Sequence, residues 1–257
     1  VILLARREEQ LEATAAEIRA AHGVEVRTVA ADLSASDVGE RVAHAVGDRE
    51  VGLFVHNAAV APAGRFLDTP LRVEQRSIAV NCASLVALTK QFAEPMAARG
   101  RGGIGIVSSM GAMAGSVNFA VYNATKAFEW ILAETLWAEL GDVGVDVSCI
   151  VVGATSSPGY EAFRETLDPE LCDRPDTDDP VDRARYRIMH PSDPADVAPR
   201  LYDALGHGPL CFVTEDDEWV VRRTLDLPRA EAVGVWRAVQ ETATRAPDPA
   251  QRGGVRR

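Results

Sequence analysis

Tyr122 and Lys126 stand at positions i and i+4, and Ser109 precedes them at the end of an apolar run. On a helix such a pair projects from one face. A phenol titrates near ~10 in water, too high for ready proton exchange at neutral pH. An adjacent ammonium favours the phenolate and lowers that value. A serine hydroxyl beside the phenol would bind a carbonyl or alcohol oxygen. The three residue types therefore describe a proton donor poised at such an oxygen. Tyr-x-x-x-Lys alone also occurs by chance on helix surfaces, so its company decides its meaning. One compositional detail singles out Lys126: of 27 basic residues only Lys90 and Lys126 are lysines. Arginine stays protonated and presents a planar fork, whereas lysine presents a compact, tunable point charge.

The elements that must position these residues can be read from periodicity. Val1 to Ala5 is a short apolar run, expected as a buried strand. A helix follows from about Arg7 to Ala21, with Leu11, Ala15 and Ile18 on one face and Gly23 closing it. Val24 to Ala31 is a second strand, and Ser34 or Ser36 is expected to cap a helix ending near Val46. Val51 to Val55 is a third strand. A long helical stretch covers about Leu71 to Arg99, with a bend expected at Pro95. Gly102-Gly103 leads into a strand at Ile104 to Val107, ending at Ser108-Ser109. A helix from Ala120 to Leu140 and a strand from Val145 to Val152 come next.

Residues 153 to 191 are rich in Pro, Asp and Arg and show no clear periodicity. A helix (Pro194 to Leu205), a strand (Leu210 to Thr214) and a last helix (Arg229 to Thr244) complete the chain. Strands alternating with long helices imply an α/β fold, a doubly wound parallel sheet in a three-layer α/β/α arrangement. In such sheets ligands collect outside the carboxyl ends of the strands. Arg6-Arg7, Asp32, Asn57, Ser109 and Ser157 each follow a strand, so they are expected to line one crevice. Residues 1–245 read as a single domain, and 246–257, rich in Pro, Gly and Arg, as a disordered tail.

Composition excludes other classes of function. With 47% hydrophobic and 25% charged residues over 257 positions, the chain is an ordinary globular sequence. No apolar run approaches the ~20 residues needed to cross a bilayer, and the N-terminus does not resemble a secretory signal. A cytoplasmic location without membrane association is therefore expected. The formal charge of -11 argues against nucleic acid as a partner. Cys82, Cys149, Cys172 and Cys211 form no CxxC pair, and the histidines show no ligand spacing, so free thiols and no metal site are expected.

The company of the tyrosine and lysine is what carries a resemblance. Ser109 followed after twelve residues by Tyr122-Asn123-Ala124-Thr125-Lys126 resembles the active-site signature of classical short-chain dehydrogenases/reductases. Asn81, within Val80-Asn81-Cys82-Ala83, matches that family's fourth catalytic position. His56-Asn57-Ala58-Ala59 resembles its NNAG turn, and Asp32-Leu33 the dipeptide that contacts adenine. The resemblance implies a Rossmann-like fold and a hydride transfer between nicotinamide and a carbonyl/secondary alcohol pair. In it Tyr122 is the general acid or base, and Lys126 lowers the phenol's pKa and holds the nicotinamide ribose. Ser109 positions the reacting oxygen, and Asn81 organises a proton-relay water. Ser108 is expected to face the other way on its strand.

Cofactor type follows from the first strand. Where NAD enzymes carry an acid for the ribose 2'-hydroxyl, this chain has Ala5 followed by Arg6 and Arg7, which would clamp a 2'-phosphate. NADP(H) is therefore expected, held by Arg6, Arg7, Asp32, Leu33, Asn57, Ala58, Tyr122, Lys126, Gly153, Thr155 and Ser157. The chain departs from the pattern in two places. The family's first strand and its Gly-rich turn have no counterpart, so the expectation is a chain lacking the first βα unit, shortened by roughly 30 residues. In Val152-Gly153-Ala154-Thr155-Ser156-Ser157-Pro158, Val152 stands where the family has proline, while Ser157 keeps a hydroxyl for the carboxamide.

Residues 158–190 correspond to the family's variable substrate lid, and with Met110, Met113 and Phe119 they are expected to shape the substrate pocket. The resemblance also implies a homo-oligomer, dimer or tetramer, through the long helices. Trp130 and Trp137 serve that interface or the core. The alternatives are a catalytically silent nucleotide-binding or scaffold protein on the same fold and, less favoured, an isomerase or epimerase.

Overall fold

Parallel strands need long crossover connections, and the helix-joined strands of this chain pair in parallel. The computed structural model describes residues 1–164 and 178–243. Strand β1 (Ile2–Ala5) pairs in parallel with β2 (Arg27–Ala30), and β3 (Leu53–His56), β4 (Gly102–Ser109), β5 (Val145–Val152) and β6 (Leu210–Phe212) form a second parallel sheet in that order. The helices between them are α1 (Glu8–His22), α2 (Val38–Val46), α3 (Leu71–Ile78), α4 (Ser84–Arg99) and α5 (Ala120–Gly141). Beyond β5 come α6 (Pro158–Arg164), α7 (Pro180–Met189) and α8 (Pro194–Ala204), then α9 (Glu215–Leu225) and α10 (Arg229–Ala243) after β6.

Alternation along the central strands sorts the two covering layers. Ile104 and Ile106 of β4, with Val145, Val147 and Cys149 of β5, are buried with Leu85 and Leu88 of α4 and Ala133 of α5. The opposite face takes α8, where Leu201 is buried with Ile150. Gly105 makes that approach possible: a Cβ there would lie 2.9 Å from the Leu201 side chain. This is the three-layer α/β/α fold that the sequence pattern predicts.

The sheet is interrupted in one place. Among the described residues β1 and β3 each pair on one side only, and an apolar cavity of about 720 Å³ lies between them, lined by Leu3, Leu4, Leu53, Phe54, Leu88 and Phe92. Leu53 and Val55 of β3 are consequently 41% and 44% exposed. β1, expected to be buried, is only half-buried for the same reason.

Several expected elements differ in detail. The second strand begins at Arg27, not Val24. Neither Ser34 nor Ser36 caps α2, whose N-cap is Asp37, because Ser34 binds Asp32 instead. The stretch from Leu71 to Arg99 is continuous through Pro95, and its irregularity is a π-helical turn at Ala79–Ala83. The 153–191 segment contains α6 and α7 among its described residues. α7 has Asp179 as N-cap and Pro180 in its first turn, a start signal that composition had masked. α9, also unexpected, starts at Thr214, which caps a first turn of four acidic residues. The expected tail at 246–257 and the middle of the lid, 165–177, lie outside the described residues.

Candidate active site

β4 and β5 pair along their full length, which places Ser109 opposite Val152 at the carboxyl edge of the sheet. Ser108 points into the core, fully buried, and donates to the Lys126 carbonyl oxygen at 2.8 Å. Ser109 takes the other face, half-buried, and its Oγ accepts from the Gly111 amide at 3.2 Å where a 3-10 turn (Met110–Ala112) begins. The Ser109 hydroxyl proton is thereby left free for another acceptor. Tyr122 and Lys126 share a face of α5, with the Lys126 ammonium 5.8 Å from the Tyr122 ring centroid. Phe119 meets that ring edge-on at 6.1 Å.

Lys126 itself is buried, and its Nζ donates to Val107 O and to Glu129 Oε2, both at 2.9 Å. Asn81 sits in the π turn, fully buried. Its Oδ1 accepts from Val60 N at 2.9 Å, and its Nδ2 donates to Val60 O at 3.0 Å and Thr125 Oγ1 at 2.9 Å. Thr125 in turn donates to Tyr122 O at 2.7 Å. The extra residue of a π turn rotates the side chain relative to a regular helix. Here the amide so presented ties the loop after β3 to the turn of α5 that carries the tyrosine.

A cavity of about 430 Å³ collects six of the expected cofactor residues, Arg6, Arg7, Asp32, Leu33, Asn57 and Ala58, beside Gln10 and Thr14. The i, i+4 spacing of Gln10 and Thr14 on the helix that opens at this crevice was a signal for them. Arg6 and Arg7 are exposed and make no ion pair among the described residues, so their guanidiniums are available to an anion. The Asp32 carboxylate is already engaged: Oδ1 accepts from the Ser34 amide at 2.9 Å and hydroxyl at 2.8 Å, and Arg76 reaches both oxygens at 3.0 and 2.9 Å. Those bonds from Ser34, then Arg76, hold its pKa at about 2.

Tyr122, Lys126, Gly153, Thr155 and Ser157 lie outside that cavity, around the neighbouring strand ends. Gly153 is a site of close approach: a Cβ there would lie 2.5 Å from Asp217 Oδ1 and 3.1 Å from Met110 Sδ. Thr155 forms a parallel bridge with Ser192. The Ser157 Oγ accepts from the Tyr160 amide at 3.1 Å, serving the first turn of α6.

The profile of the short chain dehydrogenase family matches residues 1–168. The chain belongs to that family of oxidoreductases. It is 32% identical over 183 residues to a 7beta-hydroxysteroid dehydrogenase of Collinsella aerofaciens, the match covering 67% of this chain and 70% of that enzyme. A 7beta-hydroxysteroid dehydrogenase of Mediterraneibacter gnavus is 28% identical over 158 residues, covering 62% and 60%. A solved structure described as giving insights into 7beta-hydroxysteroid dehydrogenase stereoselectivity superposes with a TM-score of 0.80 at 25% identity, over 92% of this chain and 86% of that one.

Within this short-chain dehydrogenase fold, one expectation about the substrate side needs correction. Met110 and Met113 are buried in a core with Val220, Val221 and Trp236, because α9 and α10 close over them. Within the segment expected as the lid, Ala184 of α7 is 1% exposed. Arg187 of α7 pairs with Asp217 of α9 through Nε at 2.8 Å and Nη2 at 3.3 Å, and also reaches His190 O and Ser192 Oγ at 2.8 Å each. Of the two tryptophans on α5, Trp130 is buried and donates to Glu134 at 2.7 Å, whereas Trp137 is 43% exposed.

Burial also sets the ionisation of groups behind the site. His56 is pushed down to about 4, by desolvation first and the Lys126 charge second. Glu129 is pushed up to about 7 by desolvation, which outweighs the attraction of Lys126.

Proposed function

We propose that this chain carries an NADP(H)-dependent oxidoreductase site, moving hydride between nicotinamide and a carbonyl/secondary alcohol pair. The observations that support it most are that Ser109 ends β4 at the carboxyl edge of the sheet, that Tyr122 and Lys126 share the face of α5 packed against that strand, and that the same edge holds the cavity lined by Arg6 and Arg7, which make no ion pair among the described residues. When bound, NADPH supplies the hydride. Tyr122 gives its proton to the carbonyl oxygen, and in the reverse direction takes it back from the alcohol. Ser109, whose oxygen already accepts from Gly111, donates its free proton to the same oxygen. Lys126 stabilises the phenolate and holds the ribose, and Asn81 fixes the face of α5 and organises the relay water.

Arg6 and Arg7 hold the 2'-phosphate. Asp32, Leu33, Asn57 and Ala58 hold the adenosine half, and Gly153, Thr155 and Ser157 the nicotinamide half. The cleft between β1 and β3 belongs to the same proposal. One further parallel strand seated there would pair both free edges, and its turn would offer backbone N–H groups to the pyrophosphate. Residues 1–245 act as one domain with a cytoplasmic location, and a homo-oligomer would cover Phe128, Ile131 and Trp137, which α5 leaves exposed. Among the described residues no helix is long and apolar enough to cross a membrane.

The hydroxysteroid chemistry named for the relatives makes bulky alicyclic ketones the first substrates to try. A silent scaffold on the same fold is the second possibility, favoured by one observation: Lys126 is engaged by Glu129 and Val107. NADPH consumption with a ketone panel, compared between the protein and Tyr122→Phe, separates the two. A loss of roughly 10²- to 10⁴-fold in the variant is expected for removal of a general acid. Equal rates would refute the mechanism.

A further inference from the structure

Lys126 and Glu129 form a sealed ion pair directly behind the proposed proton donor. Their side chains are 4% and 1% exposed, with Nζ and Oε2 2.9 Å apart. Among the described residues, no hydrogen-bond partner reaches the other carboxylate oxygen, Oε1, which is buried. A buried carboxylate with one oxygen unsatisfied is costly to keep ionised, so a proton is readily accommodated there. The ammonium is thus drawn toward Glu129 and Val107, while the phenol it must assist lies on the turn above.

We propose that Glu129 is a positioning residue for the hydride transfer, holding the Lys126 ammonium back when ionised and releasing it toward Tyr122 and the cofactor ribose when protonated. The proposal rests on the function argued above. The neighbours leave this pair alone to decide the local charge. From β3 comes His56, held neutral by its depressed pKa of about 4. From the π turn comes Cys82, raised to about 11, and from β5 Cys149, raised to about 12, both chiefly by burial. Behind them Cys211 of β6 is also raised to about 11. β4 contributes Val107 and Ser108, which carry no charge. On α4, Lys90 and Glu94 pair with each other on the outer surface. Glu129, displaced to about 7, is then the group among them that changes charge near neutrality.

Two measurements test this, the first without turnover. In the full chain labelled at the tyrosine ring carbon bearing oxygen, the Tyr122 resonance, assigned through Tyr122→Phe, should shift with an inflection in the neutral range. The inflection should vanish in Glu129→Gln, which keeps the shape and the acceptor for Nζ. A Tyr122 resonance with no neutral inflection in the unmodified protein overturns the proposal, even if the variant fails to fold. The second is carbonyl reduction with NADPH as a function of pH. The rate should fall on the order of tenfold as pH rises through about 7, as an acid–base group is misplaced, and Glu129→Gln should hold the acidic-side rate throughout. A Glu129→Gln profile that superimposes on that of the unmodified protein also overturns it. Retained reduction in Tyr122→Phe would instead refute the parent function, and the resonance would still report on the pair.

Discussion

Asp217→Asn should be among the most damaging conservative changes in this protein. Arg187 and Asp217 have side chains 8% and 0% exposed and share two hydrogen bonds, from Nε at 2.8 Å and Nη2 at 3.3 Å. Removing the negative charge leaves a guanidinium in the interior facing neutral acceptors, His190 O, Ser192 Oγ and one amide oxygen, with an amide NH2 turned against it where the second carboxylate oxygen stood. Breaking such a pair on one side costs about 3–5 kcal/mol, whereas replacing both partners by apolar residues is often neutral or better. Asp217→Leu and Arg187→Met should each lower the unfolding free energy by about 3 kcal/mol or more, and the two together should recover most of the loss. The assay is urea unfolding followed by circular dichroism, at fixed pH, for the four proteins of the cycle. A coupling below about 1 kcal/mol would mean that the two side chains contribute independently. The effect should extend to function, because Asp217 lies against Gly153 and Arg187 holds Ser192, the bridge partner of Thr155.

Gly153→Ala would force a Cβ to 2.5 Å from a carboxylate oxygen that Arg187 fixes in place. A loss of about 1–3 kcal/mol and weaker NADPH binding are expected, checked by thermal unfolding and by titration of cofactor fluorescence. Arg6→Ala with Arg7→Ala should raise the NADPH KM roughly 10- to 100-fold while leaving NADH little changed, since charge-assisted bonds to a phosphate are lost. Unchanged preference between the two cofactors would remove the assignment. His56, with its pKa lowered from 6.5 to about 4, contributes stability that is fully present above about 6.5. That contribution, worth about 3 kcal/mol, is lost as pH falls through about 4. His56→Gln should flatten this acid limb in urea midpoints, and an unaltered limb would assign it to other groups.

Local chemistry was legible in the sequence wherever a signal repeats at the period of its own element. The strand Val145–Val152 is found where its apolar run predicts, and the face shared by Tyr122 and Lys126 follows from helical spacing alone. The opposite orientation of Ser108 and Ser109 follows from strand alternation. The six residues around the Arg6 cavity were legible because each follows a strand, and parallel strands end on one edge. Start signals were missed where composition obscured them, as at Asp179-Pro180 and Thr214.

The succession of strands and helices along the chain, the parallel direction of the strands, the edge where chemistry gathers and the helical pairing of phenol with ammonium are thus properties of the sequence itself. They depend on backbone period and chain connectivity, which act between near neighbours. Only the tertiary structure decided that Arg76 engages Asp32 across 44 positions, that Arg187 engages Asp217 across 30, and that Met110 belongs to the core rather than to a pocket. It also decided that Glu129 lies in the interior against Lys126. An ionisable side chain takes its partner and its charge from what packing places beside it and from the water that packing removes, and neither quantity is written in the spacing of residues.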